Sequence, residues 1–245
     1  MSVLAGWQSA VSCTFNLKDE VHLWRISFDD LSEDNPRLRA VLSAEETRRA
    51  NKFHFKKDRV AFVAAHGYLR LLLARYLQVD PQLFVFTEGE HGKPFLKDYT
   101  LQFNISHSNR MGLLAFDAAL PLGVDVEWMR PDFGGLKIAR RFFSETEVEE
   151  LSALEGKEQI EGFFNGWSRK EAYIKALGLG LSLPLDKFSV SLSPAKDARI
   201  IETTHDPKAM ERWQLLAIDA APEYKAAIVT SKHRKIIRLF EVDQI

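Results

Sequence analysis

Cysteine is nearly absent from this chain of 245 residues, Cys13 being the only one. A single thiol excludes an internal disulfide framework and any cysteine-based zinc centre, and it suits a reducing compartment. An excess of one charge is also missing, because 33 Lys and Arg residues nearly balance 34 Asp and Glu. No overall positive field draws the protein onto nucleic acid or an anionic membrane, so any anion site has to be local. Long apolar runs are missing as well. The opening "MSVLAGWQSAVSC" has neither the basic flank nor the apolar stretch of a signal peptide, and no later segment reads as a bilayer span. These absences predict a soluble, cytoplasmic protein with no membrane and no nucleic-acid partner.

What is present is enough apolar material, 46% of the residues, for one large domain or two half-size ones. "VHLWRISF" (21–28) alternates as a half-buried strand, and "LSAEETRRANKF" opens a helix with Ser43 and Glu46 at capping-box spacing. A long helix is expected from Asp58 to Leu77, then strands at "QLFVF" and "LQFNIS" around the turn "GEHGKP". After Ser108 come strands at "MGLLAFD" and "PLGVDVEW". A second capping box follows at Ser144 and Glu147, and then the helix "WSRKEAYIKALG", closed by Gly178 or Gly180. Strands at "FSVSLS", "WQLLAIDA", "YKAAIVTS" and "IIRLFEV" complete the chain. Each half thus offers strands, one long helix and more strands. The expected class is α+β, with two similar α/β subdomains in a pseudo-two-fold arrangement, although no repeat is visible in the letters themselves.

Four stretches carry chemistry. On "GVDVEW", Val124 and Val126 point to one side of a strand and Asp125 and Glu127 to the other, with the acidic Cα atoms about 6.5–7 Å apart. On the helix, Phe163, Trp167, Ile174 and Leu177 share a face at about 100° per residue. Glu171 therefore borders the buried stripe. Glu171 and Lys175 have the spacing of an ordinary surface pair, worth a few tenths of a kcal/mol; next to Asp125 and Glu127, however, Glu171 would make a third acid needing a cation. Carboxylate-only ligation favours Mg²⁺. "FNISHS" gathers Ser106, His107 and Ser108, which can donate to an anion, and "HGKP" offers Lys93 between a permissive Gly92 and a stiffening Pro94. The basic run Arg48, Arg49, Lys52, Lys56, Lys57 and Arg59 reads equally as a phosphate clamp or as a solvated helix face.

In order and wording, "GKP", "FNISHS", "GVDVEW", "RRFFSETE", "WSRKEAYIKALGLGL" and "PLDKFSV" resemble the 4′-phosphopantetheinyl transferases of the larger, Sfp-like type, over roughly Ser43 to Val190. The resemblance implies transfer of the phosphopantetheine arm of coenzyme A to a serine of an apo acyl or peptidyl carrier protein, with Mg²⁺ and release of adenosine 3′,5′-bisphosphate. It implies a monomer whose active site lies at the interface of two halves, 1–118 with the coenzyme A nucleotide contacts and 119–245 with the metal-binding acids and catalytic helix. By the same resemblance Asp125, Glu127 and Glu171 surround the metal, Glu171 also serves as a general base, and Lys175 faces the leaving phosphate. Arg49, Lys93, Pro94, Ser106, His107 and Lys170 become coenzyme A contacts. Glu46 stands where some relatives carry a basic residue, which would shift the phosphate clamp onto Arg49, Arg59 and His107. Arg140 and Arg141 are placed to meet an acidic carrier helix. A metal-dependent phosphodiesterase acting on a nucleotide is the other activity that paired acids and a lysine would suit.

Overall fold

The computed structural model describes residues 3–29, 31, 32, 35–131, 133–233 and 236–243. Two short strands, β1 (Val3–Leu4) and β2 (Gln8–Ser9), precede β3 (Glu20–Ser27). Helices α1 (Pro36–Ala40), α2 (Ala44–Lys52) and α3 (Lys56–Leu77) lead to the hairpin of β4 (Phe86–Glu88) and β5 (Pro94–Leu96), then to β6 (Gln102–Ser108) and β7 (Met111–Asp117). The second half repeats that order. After β8 (Gly123–Trp128) come α4 (Gly135–Phe142), α5 (Glu145–Ser152) and α6 (Gly156–Leu177). The pair β9 (Phe188–Val190) and β10 (Ile200–Thr203), the turn α7 (Ala209–Arg212), β11 (Trp213–Ile218) and β12 (Tyr224–Ser231) follow, and β13 (Ile236–Glu241) ends the fold.

The repetition extends to pairing. Strands β3, β7 and β6 lie side by side and antiparallel, and so do β8, β12 and β11. Two similar subdomains therefore build the molecule. Their ends are exchanged: β13 inserts between β2 and β3 of the first sheet, parallel to both, while β1 adds to β11 of the second. Residues 118 and 119 thus fall between the inner strands of the two sheets, while β1 and β13 each pair with strands from the other side of that point.

The same local chemistry anchors both long helices. Ser43 and Ser144 each form a full capping box with the glutamate three residues on, Glu46 and Glu147. Each glutamate then reaches a base on the long helix of its half, Arg70 at 2.7 Å and Lys170 at 2.7 Å. The structure makes visible, as a matched pair of buried ion pairs, a repeat that the letters conceal.

Three apolar clusters stack through the molecule. One fills the space between α3 and the first sheet, with Trp24, Ile26, Leu72 and Leu114, and another lies between α6 and the second sheet. The third joins the sheets face to face through Val21, Leu23, Leu113, Val124, Val126 and Ile228. Helix α3 is, among the described residues, the one helix long and apolar enough by length and composition to cross a bilayer, a test that a buried core helix also passes. Its apolar residues pack into the first core. The segment "QLFVF" also departs from expectation: Pro81–Leu83 is a 3-10 turn, and extended pairing begins only at Phe86.

Candidate active site

Beside the face-to-face packing of the sheets, their edge strands β6 and β8 run together, and that seam carries the chemistry. Strand β8 is paired with β12 on one side only, so the N–H groups of its other edge need acceptors. Side chains of β6 supply them. Asn104 Oδ1 accepts from the Val124 N–H at 2.8 Å, Ser106 Oγ from Val126 at 3.4 Å, and Ser108 Oγ from Trp128 at 3.1 Å. The period of the strand puts these polar residues on one face of β6 and the neighbours Phe103, Ile105 and His107 on the other.

The serine hydroxyls then donate onward to the acids. Ser106 donates to Asp125 Oδ1 at 2.8 Å and Ser108 to Glu127 Oε2 at 3.0 Å. Val124 and Val126 are buried between the sheets, which turns Asp125 and Glu127 toward α6 as the alternation predicts. From α6, the Lys175 ammonium lies 2.7 Å from Asp125 Oδ1 and 3.1 Å from Ser106 Oγ. Its ion pair is therefore with Asp125, across the elements, and not with Glu171 along the helix. Glu171, half-buried one turn earlier, completes the group; among the described residues none hydrogen-bonds its carboxylate.

All three acids are held above their ordinary pKa values. Burial is the first cause for Asp125, opposed by Lys175 and Ser106. Burial and then the Asp125 charge push Glu127 up to about 7. Glu171 is raised by burial and again by Asp125. Mutual repulsion of buried carboxylates with one lysine between them is the electrostatic condition a cation relieves. Asp125 Oδ2 is also buried without a hydrogen-bond partner, which is costly unless another group reaches it. The donor chemistry thus fits a hard cation, whereas the spacing is open: among the described residues, no three His, Cys, Asp or Glu side chains are gathered closely enough to hold a metal.

The remaining predicted residues fall into distinct groups. His107 is exposed, desolvation and then the charges of His66 and Lys175 hold its imidazole below the ordinary value, and its ring meets Phe28 edge-on. Arg49 is exposed on α2, with its guanidinium 5.2 Å from the Phe62 ring; Phe62 stacks on His66 at 4.0 Å. His66 was missed at the sequence level, although its place four residues after Phe62 and four before Arg70 on α3 put it on that face. Glu46 is no anion contact, being tied to Arg70 and the capping box. Arg59 donates to the Phe53 carbonyl at 3.0 Å.

Three assignments change. Lys170 cannot face a pyrophosphate: it is 0% exposed, and its ammonium contacts Glu147 at 2.7 Å and the Leu185 and Phe188 carbonyls at 2.6 and 2.5 Å. The Ser106 hydroxyl donates to Asp125 and accepts from Val126 and Lys175, which fills its capacity and makes it a support for the acid. Lys93, beside a half-buried Pro94 and behind Gly92 at φ +81°, gives its ammonium to the carbonyls of Leu122 at 2.9 Å and Lys175 at 2.7 Å. Burial lowers its pKa to about 8. Gly178, at φ +70°, is the C-cap of α6, which settles the choice between the two glycines.

Beside Glu127, a cavity of about 240 Å³ is walled by Arg130, Phe133, Ile138, Phe163, Phe164 and Trp167. Arg140, Arg141 and Phe142 stand exposed on the last turn of α4, the Phe142 ring 6.1 Å from that of Trp167. A charged seam thus borders an apolar recess and a basic rim.

Known proteins resemble this chain at the level of sequence family. Residues 121–229 match the model of the 4′-phosphopantetheinyl transferase superfamily, and residues 28–118 match that of the 4′-phosphopantetheinyl transferase N-terminal region. The chain is 36% identical over 219 residues to the 4′-phosphopantetheinyl transferase HetI of Nostoc sp., covering 88% of this chain and 89% of that protein. It is 36% identical over 198 residues to the 4′-phosphopantetheinyl transferase Sfp of Bacillus subtilis, covering 80% and 85%. A solved holo-(acyl-carrier-protein) synthase of Bacillus anthracis, in complex with CoA (3′,5′-ADP), is 22% identical with a TM-score of 0.38, over 46% of this chain and 95% of that one. The chain belongs to the 4′-phosphopantetheinyl transferase superfamily.

Proposed function

We propose that this protein is an Sfp-like, monomeric, cytoplasmic enzyme that transfers 4′-phosphopantetheine from coenzyme A to a serine of an apo acyl or peptidyl carrier protein. The observation that supports this most directly is the seam itself, where Asp125, Glu127, Glu171 and Lys175 come together between two halves in a chain of this family. In the reaction, the serine oxygen bonds to the phosphorus bearing the pantetheine arm, and the bond from that phosphorus to the bridging oxygen breaks. The electron pair leaves with adenosine 3′,5′-bisphosphate. Glu171, half-exposed and with no hydrogen bond to hold its charge, takes the serine proton. Lys175 presents positive charge to the leaving phosphate while it holds Asp125 in place.

Asp125, Glu127 and Glu171 are the residues that would hold Mg²⁺, which when bound neutralises charge on the pyrophosphate. Arg49 and His66 both lie against the Phe62 ring and His66 is near enough to His107 to influence its charge, a basic group suited to the nucleotide phosphates. The recess beside Glu127 and the rim of Arg140, Arg141 and Phe142 suit an acidic carrier with an apolar contact. The test is incubation with coenzyme A, Mg²⁺ and an apo carrier. A mass gain of one phosphopantetheine on the carrier is expected. Cleavage of coenzyme A that proceeds equally without the carrier would make the protein a phosphodiesterase instead.

A further inference from the structure

The hairpin of β4 and β5 belongs to the first half, yet its turn reaches across to the end of α6. Lys93 ends that turn: the Gly89 N–H bonds the Lys93 carbonyl at 2.9 Å, and Gly92 adopts φ +81°, which closes the turn tightly. The side chain passes Gly178, where an added Cβ would stand 3.5 Å from Lys93 Cδ. The next contact is made by His91, whose Nδ1 lies 3.0 Å from Ser182 Oγ, just past α6. The ammonium then bonds two carbonyls from different elements. Leu122 O is the last carbonyl before the acidic strand, and Lys175 O belongs to the lysine that holds Asp125.

We infer that Lys93 is a positioning residue for the proposed transfer, a cross-half cap that fixes the end of α6 against the start of β8 and so sets Lys175 against Asp125. This deepens the functional reading above and rests on it. A cation at a helix C-terminus is favoured by the carbonyls left open there and by the helix dipole. Here the same cation also grips the neighbouring strand, so the spacing between Lys175 and the acids depends on a residue of the other half. A misplacement of about 1 Å in such a site costs up to a hundredfold in rate. The inference replaces the phosphate-clamp role that the GKP stretch suggested from sequence.

Lys93→Met separates the two roles. As a positioning residue, its loss lowers kcat about tenfold or more, equally with coenzyme A and with 3′-dephospho-coenzyme A, and KM for either donor changes little. Hydrogen exchange at the amides of residues 174–179 rises at the same time. A phosphate ligand would instead show a raised KM for coenzyme A alone and unchanged exchange, and that result overturns the inference. Ser182→Ala, which loosens the same strap without touching the lysine, is expected to raise exchange at the same turn and keeps the test open if Lys93→Met does not fold. Wild-type turnover in the same assay is the separate check on the functional reading, because the exchange result stands without any activity.

Discussion

The Lys175 ammonium sits 2.7 Å from Asp125 Oδ1, on the side of that carboxylate where Ser106 also donates, while Oδ2 stays buried with no partner. Half of the acid is satisfied by protein, and half is left for something else. The lysine comes from the helix of the second half, the serine from the edge strand of the first, and the acid from the strand between them. A seam of this kind makes each half incomplete without the other.

Lys175→Met should therefore show two effects at once. We predict a kcat at least about tenfold lower, since loss of one preorganised group facing developing charge costs about a hundred- to a thousandfold in the strongest cases. The melting temperature should also fall, because Asp125 is 3% exposed and loses its counter-charge. The double variant with Asp125→Asn should regain melting temperature and no activity. A single variant with wild-type kcat would reduce the lysine to a structural partner.

Glu127 gives the protein a pH signature in the absence of metal. Its folded-state pKa is raised from 4.5 to about 7, chiefly by burial and then by Asp125. A raised carboxyl favours the protonated form in the folded state, so its burial costs nothing below the unfolded value. The cost then grows as pH rises from 4.5 to about 7 and is complete above that. In EDTA, Glu127→Gln should thus match wild type at low pH and exceed it above neutrality, by an amount on the order of 3 kcal/mol. Parallel stability curves for the two proteins across that window would rule this out.

Local signals were legible in the sequence, and tertiary commitments were not. The capping boxes at Ser43 and Ser144, the alternation of Asp125 and Glu127, and the glycine closing α6 all follow from contacts within a few residues, and all appear in the structure. The acids and the lysine that the family resemblance singled out lie near one another in the structure. Lys170 was misread because its partner Glu147 lies on another helix and no spacing rule links them. Ser106 looked like an anion donor because the hydroxyl is the same whether it faces a ligand or an unpaired strand edge. The exchange of β1 and β13 between sheets depends on pairing across the full length of the chain, which periodicity cannot encode.

Gly123 marks where β8 and α6 touch backbone to backbone. An added Cβ would meet the Ala172 carbonyl oxygen at 2.1 Å and the Ala176 nitrogen at 2.3 Å, and neither backbone atom can swing aside as a side-chain tip does. Gly123→Ala should destabilise by about 3 kcal/mol or more, at the upper end for overpacking. Because the strand and helix part at the root of the site, activity per folded molecule should fall as well. Denaturant melts combined with turnover at matched folded fraction would test both; a variant as stable as wild type would contradict the contact.

Lys170 offers the complementary case, a residue of the same helix whose loss should leave the chemistry alone. Its ammonium is 0% exposed and Glu147 is 1% exposed, so Lys170→Met strands a buried carboxylate. Breaking a buried pair from one side costs roughly 3–5 kcal/mol, whereas neutralising both partners costs far less. Glu147 also accepts from the backbone N–H groups of Ser144 and Val190, at 2.9 and 2.8 Å, so the second substitution has to keep an acceptor there. We predict that Lys170→Met lowers stability by that amount, that adding Glu147→Gln recovers much of it, and that KM for coenzyme A is unchanged in both folded proteins. A pyrophosphate contact would reverse the pattern, with KM raised and stability nearly intact. Denaturant titration and donor kinetics on the same two variants decide between a lysine that holds the second half together, as Arg70 holds the first, and one that binds the substrate.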